Sequence, residues 1–268
     1  MTRRTLGYLA LACLLVLAGC NGATGPATTD GPPDANSTAT TANGGTPDPI
    51  YRPPLSPSTV LDEHEAALAD GGTFAYQQNS TLRAGAAGRL AQVTNVSAAV
   101  DLDGDRALVF QNVSLQGETV AYGNATVGYE RFGTGDGPRY RSASENVTNP
   151  AFYARPPIDR LLRGLNYTYQ GAETRDGETV FTYAVDGTDE LTPAEHGLGV
   201  IPPENVTAVN SRLAVREDGR IVAFEYRASG TVDGRERSYA VSVAWGGVGS
   251  TTVSEPAWVA DARNATSG

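Results

Sequence analysis

Few side chains of this sequence suit acid–base, nucleophilic or metal chemistry at neutral pH. There are two histidines, His64 and His196, and two cysteines, Cys13 and Cys20. His64 opens the run His64-Glu65-Ala66-Ala67-Leu68, which lacks the second histidine that a helical zinc site of the H-E-x-x-H type requires. It reads as a helix-face residue packed on a sheet. Thr192-Pro193-Ala194-Glu195-His196-Gly197 parses as a capped helical turn, with Thr192 as N-cap, Pro193 first, Glu195 completing a capping box and Gly197 as the stop. His196 is then a last-turn cation when protonated. Asp101-Leu102-Asp103-Gly104-Asp105 starts like a calcium loop, but its sixth position is Arg106 and its twelfth Asn112, so a hairpin turn is expected. No nucleophile elbow, phosphate-binding loop or dinucleotide fingerprint is present. The 30 acidic residues leave paired-carboxylate chemistry open, yet nothing singles out a pair. The expectation is no enzyme, no cofactor and no metal.

The remaining reactive candidate is Cys20. Between Arg4 and Cys20 there is no charge, and the dense apolar part runs from Leu6 to Ala18. As helix that run rises roughly 20 Å, short of a hydrocarbon core of about 30 Å. A charged start, a short apolar run and a small-residue exit make an export signal. The exit Leu17-Ala18-Gly19-Cys20 resembles the lipobox of prokaryotic lipoproteins. That resemblance implies removal of residues 1–19, a lipid on Cys20, and a protein held at the membrane on its extracellular face. A plain signal peptide cut nearby is the alternative. Thr2-Arg3-Arg4-Thr5-Leu6 resembles a loose twin-arginine signal, although Gly7 stands where a bulky apolar residue belongs, and an ordinary basic start supplies the same arginines. The export route stays open.

With Cys13 removed and Cys20 lipidated, the folded part has neither disulfide nor thiol chemistry. All 20 basic residues are arginine. Loss of Arg3 and Arg4 leaves 18 arginines against 30 acids, a net charge of −12. Such a surface repels nucleic acid and anionic headgroups. Acidic, lysine-free composition resembles that of proteins from salt-loving archaea; an acidic secreted protein from a GC-rich genome is the alternative.

From Asn21 to Pro57 the chain carries eight of its sixteen prolines, with Ile50, Tyr51 and Leu55 as its bulky apolar residues. That stretch cannot bury enough surface to offset its ordering entropy, so residues 20–57 are expected to be a lipidated, disordered stalk. Nine of thirteen asparagines stand in N-x-S/T sequons: Asn36, Asn79, Asn95, Asn112, Asn124, Asn146, Asn166, Asn205 and Asn264. Chance predicts roughly two. The excess points to N-glycosylation, and each acceptor must then face solvent.

That requirement orients the elements. Ser58–Gly72 reads as an amphipathic helix capped by Ser58 or Thr59, with acids in its first turn and Val60, Leu61, His64, Ala67 and Leu68 along one stripe. With Asn79 outward, Phe74, Tyr76 and Leu82 point inward; with Asn95 outward, Leu90, Val96, Ala98, Val100 and Leu102 do; Asn166 outward turns Leu165, Tyr167 and Tyr169 in. In residues 119–132 the rule sends Val120 and Tyr122 outward, so a bulge or turn is expected near Gly123. Six Asp-Gly steps mark tight turns, most clearly in hairpins over Glu173–Thr182 and Val215–Val222. Pro156–Gly164 is a short helix. The result is an α+β domain over 58–260, one antiparallel sheet of eight to ten strands with helices on one side, followed by a disordered tail over 261–268.

The order of elements and the motifs VREDGRIVAFEYRASGTVDG and YAVSVAWGGVGSTTVSEPAWV resemble uncharacterised haloarchaeal lipoproteins and, more remotely, LolA/LppX-like lipoproteins. That resemblance implies a curved half-barrel sheet wrapped around helices, with an apolar cavity for a lipid between them. Tyr239, Val241, Val243 and Trp245 alternate on one strand beside Val222, Phe224 and Tyr226 on its predecessor. They read either as core or, with Phe74, Tyr76, Tyr167 and Tyr169, as a groove for a lipid or other apolar ligand. A filled surface module with no ligand is the rival.

Overall fold

The computed structural model describes residues 47–84, 90–114, 116–133, 137–196 and 200–266. The export run Leu6–Ala18, Cys20 and Asn36 lie outside them. Helix α1 spans Pro57–Gly71. Ser56 is its N-cap, the Oγ accepting the Thr59 N–H, because Pro57 fits the first helical position where no amide donor is needed. The cap therefore precedes the expected Ser58 or Thr59, and the acids fall in the second turn instead of the first. Gly72, at φ 69°, closes the helix by donating its N–H to Leu68 and Ala69 carbonyls. The buried face is Val60, Leu61, His64 and Leu68.

Eleven strands follow: β1 (Thr73–Ala84), β2 (Leu90–Asp101), β3 (Arg106–Val113), β4 (Gly117–Gly123), β5 (Gly128–Phe132), β6 (Arg139–Ser142), β7 (Thr168–Arg175), β8 (Glu178–Asp186), β9 (Val206–Arg216), β10 (Ile221–Val232) and β11 (Arg235–Gly246). They form one open, curved antiparallel sheet in the order β6-β5-β4-β3-β2-β1-β11-β10-β9-β8-β7. Two meanders are thus zipped together where the first strand pairs with the last, from Ala75 opposite Gly246 to Ala84 opposite Arg237. The count exceeds the expected eight to ten because the short strands β5 and β6 carry little apolar alternation.

Both expected hairpins form. Asp176 and Gly177, at φ 51° and 83°, turn β7 into β8, and the Asp218-Gly219 step turns β9 into β10, with Gly219 at φ 83° donating its N–H to the Arg216 carbonyl at 3.0 Å. A further Asp-Gly step, Asp233 and Gly234 at φ 51° and 70°, turns β10 into β11. Two successive left-handed residues match the twist of the strands they join. Near Gly123 the chain makes a turn, as expected: Asn124 Oδ1 accepts the N–H groups of Thr126 and Val127. The Asp101 turn is also a hairpin. The Asp101 carboxylate takes the Gly104 N–H at 2.7 Å and Arg106 Nε at 2.9 Å, and these bonds hold it below its usual pKa.

Between the meanders run three short helices: α2 (Glu145–Thr148), α3 (Pro150–Ala154) and α4 (Asp159–Leu162). Ile158, Leu161 and Leu162 of the expected short helix are buried. With α1 they cover one face of the sheet.

Two expected boundaries move. The segment before Pro57 is not stalk throughout: Tyr51 is buried, its hydroxyl donates to Glu63 and its N–H to the Tyr183 hydroxyl, and Ile50 and Leu55 pack beside it. Three bulky residues suffice to bind this stretch once a core is there to receive them. At the other end, helix α5 (Val259–Thr266) continues past residue 260 into the stretch where a disordered tail is expected. Val259 joins Tyr122 and Val253 in a second, smaller cluster on the opposite face of the sheet. That is why Val120 and Tyr122 face outward without penalty: α5 shelters Tyr122.

Candidate functional site: the inner face of the sheet

Cross-strand register sorts every strand residue onto the helix-covered inner face or the outer one. Tyr76 lies opposite Trp245 and Ala98; Gln78 opposite Val243 and Val96; Ser80 opposite Val241 and Thr94; Leu82 opposite Tyr239 and Gln92. The rows extend through Phe224, Tyr226 and Ala228 of β10 to Leu213, Ser211 and Val209 of β9. On the β2 side they run from Val96 to Gln111 and Thr119, and from Thr94 to Val113. The face is therefore two-sided in chemistry: aromatic and aliphatic toward β9, mixed polar and aliphatic toward β4.

On the apolar side the seven groove candidates mostly make a closed core. Phe74, Tyr76, Tyr167, Phe224 and Trp245 are buried. Tyr76 meets Tyr153 and Trp245 edge-on, with ring centroids 5.2 and 5.7 Å apart. Trp245 Nε1 donates to the Tyr153 carbonyl at 2.9 Å, so the indole's polar tip is satisfied by a helix and does not await a ligand. Tyr167 shares a hydrogen bond of 2.7 Å with Ser211. Tyr169 is half-buried against Phe181 and Tyr183, and Tyr239 is half-buried against Tyr226. Of the expected inward set, Val222 departs: a register shift between Ile221 and Ala223 buries Ile221 in its place.

Both histidines belong to this core. The His64 ring sits 4.5 Å from the Trp245 ring at 74°, and its Nδ1 accepts the Ile221 N–H at 3.1 Å. The proton of the neutral ring must then be on Nε2, which is buried without a hydrogen-bond partner in the structure. Burial, reinforced by the nearby Arg220 charge, pushes the His64 pKa down to about 3. His196 corrects the sequence reading. Its Nδ1 donates to the Arg163 carbonyl at 3.0 Å and its Nε2 accepts the Tyr226 hydroxyl at 2.7 Å. Burial lowers its pKa, so it is a neutral strut between a helix end and the sheet, not a cation. Burial likewise raises the tyrosines Tyr51, Tyr76, Tyr153, Tyr167 and Tyr226 above their ordinary value. Among the described residues no group of three or more histidines and acids gathers as a metal site would require.

Away from α1 the inner face changes. Gln78, Ser80, Leu82, Thr94, Val96, Gln111, Thr119 and Tyr239 are each only half-buried. Apolar and polar side chains alternate across the strands there, a surface with an apolar floor and hydrogen-bonding groups within it. The strand alternation in the sequence turns Leu82, Val96 and Tyr239 inward but carries no signal for how much of that face the helices leave uncovered. Among the described hollows the largest, about 540 Å³, lies mainly on the opposite, outer face, bordered by Arg83, Asp186, Asn210 and Arg227 with Asp189, and of the seven groove candidates Tyr239 alone reaches its edge.

The sequons obey the solvent rule in part. Asn79, Asn95, Asn112, Asn146, Asn166 and Asn264 are exposed, while Asn124 and Asn205 are half-buried.

These features define an α+β protein built on a single half-barrel sheet, with a helical layer filling one side of its inner face. A family of unknown function, DUF7537, matches residues 5–262, and the chain belongs to that family. No curated protein matches it. Similar solved structures include LprF from Mycobacterium bovis, at 13% identity over 79% of this chain and 98% of that one, with a TM-score of 0.39. The lipoprotein LppX from Mycobacterium tuberculosis has 14% identity over 75% of this chain and 100% of its own, TM-score 0.38. A LolA superfamily protein from Nitrosomonas europaea has 8% identity over 75% of this chain and 96% of its own, TM-score 0.28.

Proposed function

We propose that this protein is a lipid-anchored, N-glycosylated lipoprotein of the extracellular face of the cell membrane, and that its sheet binds or carries an apolar ligand. The observation that carries the ligand reading is the half-covered strip of Leu82, Val96 and Tyr239, interleaved with Gln78, Ser80, Thr94 and Gln111. An acyl or isoprenoid chain would lie along the aliphatic side chains, and its polar end would meet the amides and hydroxyls. Of the aromatic candidates only Tyr239 stays among the ligand contacts, because most of the others already pack on one another. Catalysis is not part of the proposal: the two histidines are neutral struts of the core.

A second reading, a surface module with no ligand, draws on the closed packing of Tyr76, Tyr153 and Trp245. Mass spectrometry of solvent extracts separates the two. A soluble form beginning at Pro47, so that Tyr51 is retained, is purified from its own host without detergent. A lipid at about one per chain supports the carrier, and its absence supports the module. The anchor is tested by Cys20→Ser, which is expected to release the full chain from membranes; unchanged retention would refute lipidation of Cys20.

A further inference from the structure

Three sequons that lie far apart in the chain stand side by side in the fold. Asn79 of β1 is directly opposite Asn95 of β2, and Asn95 is directly opposite Asn112 of β3. All three side chains are exposed on the outer face, under an open hollow of about 380 Å³. The row is bounded by Ser242 of β11 next to Asn79 and by Glu118 of β4 next to Asn112, neither of which is an asparagine acceptor. Asn95 therefore has two acceptor neighbours and the outer asparagines have one each.

Strand spacing makes this arrangement restrictive. Side chains directly opposite one another have Cβ atoms about 5 Å apart, and next-but-one strands are about 10 Å apart. An N-linked pyranose with its hydroxyls is broader than one strand spacing but narrower than two. Ladder hydrogen bonds on both sides of β1, β2 and β3 prevent the strands from spreading to make room.

We infer that the row Asn79–Asn95–Asn112 is a saccharide-bearing site governed by nearest-neighbour exclusion: a sugar on Asn95 excludes sugars on Asn79 and Asn112, which themselves coexist. The inference rests on the glycosylation reading above. In forming each link, the carboxamide Nδ2 bonds to the anomeric carbon of a saccharide donor activated as a phosphate ester. The carbon–oxygen bond to the phosphate breaks, one amide proton is released, and the phosphate leaves with the bonding electrons. Donor and transferase come from outside this protein. If transfer precedes folding, a chain modified on adjacent members cannot close its ladder; if it follows, the first sugar blocks its neighbour.

Exclusion among three equivalent sites has a numerical signature. When the site first modified is random, Asn95 is occupied in about one third of molecules and the outer pair in about two thirds. The test is glycopeptide mass spectrometry of the full chain from its own host, reading occupancy at each asparagine. Asn79 and Asn95 are expected to sum to no more than one sugar per molecule, as are Asn95 and Asn112. In the variant Asn79→Gln/Asn112→Gln, Asn95 occupancy is expected to rise about threefold. Both substitutions are on the exposed face, so folding is retained. A neighbouring pair summing well above one overturns the inference. So does an unchanged Asn95 in the double variant, or a bare row while Asn166 and Asn264 carry sugars. If every sequon is bare, the glycosylation reading itself fails.

Discussion

Replacing His64 by leucine tests the account of the core through its pH dependence. The folded-state pKa of His64 is pushed down to about 3 from 6.5 because protonation would charge a buried ring, near Arg220, and destroy the acceptor at Nδ1 that holds the Ile221 N–H. The unfolded chain takes up that proton below pH 6.5 while the folded chain does not. Stability tied to His64 is therefore whole above pH 6.5 and is lost as pH falls toward 3, at about 1.4 kcal/mol per pH unit. Between pH 6.5 and 4.5 the wild type should lose roughly 2–3 kcal/mol through this group. His64→Leu removes that proton linkage but leaves the Ile221 N–H without its acceptor, at a cost of about 1–3 kcal/mol at pH 7. The assay is urea unfolding at several pH values and one fixed salt concentration. His196, whose pKa burial also lowers, and Asp101, whose carboxylate is held low by Gly104 and Arg106, contribute the same acid loss to both proteins and cancel in the difference. The variant should start less stable at pH 7 and have a slope shallower by about one proton. Equal slopes in the two proteins would refute the claim that His64 is held neutral.

Trp245→Ala should cost about 3–5 kcal/mol, through the cavity left beside Tyr76 and His64 and the loss of the donor to the Tyr153 carbonyl, read as a lower urea midpoint at unchanged slope. Arg155→Ala should cost no more than about 1 kcal/mol, since its ion pairs to Asp62 and Glu65 are partly exposed, and molar salt should shrink the difference. Gly234→Ala meets no atom within 4 Å, so its cost should be conformational alone, about 1 kcal/mol from the left-handed φ of 70°, visible in the melting temperature.

Much of the sheet is legible because two independent periodicities coincide. Asn79 with Phe74 and Tyr76, and Asn95 with Ala98 and Val100, alternate with period two, so acceptors and core residues must fall on opposite faces. The Asp-Gly steps at 176–177 and 233–234 announce their turns because left-handed φ values at two successive positions leave few residue choices. The burial of Tyr51 and of Ala262 is not legible, because short segments of low apolar content gain order only from a surface supplied elsewhere in the chain. His196 misled because its helical parsing is locally sound, while its actual partner, the Tyr226 hydroxyl, lies thirty positions away.

The sequence by itself determined which face most strand residues take, along with the acidic, lysine-free surface, the thiol-poor folded part and the candidate anchor at Cys20. These follow from residue type and local spacing. Only the tertiary structure decided which strands lie side by side, and hence that β1 closes on β11, that five of the seven aromatic groove candidates fill the inner face, and that Leu82, Val96 and Tyr239 stay half-covered. It also brought Asn79, Asn95 and Asn112 into one row. Period two fixes the face of a residue but not its neighbour across the ladder, which is chosen by how two meanders register against one another and against the helices that cover them.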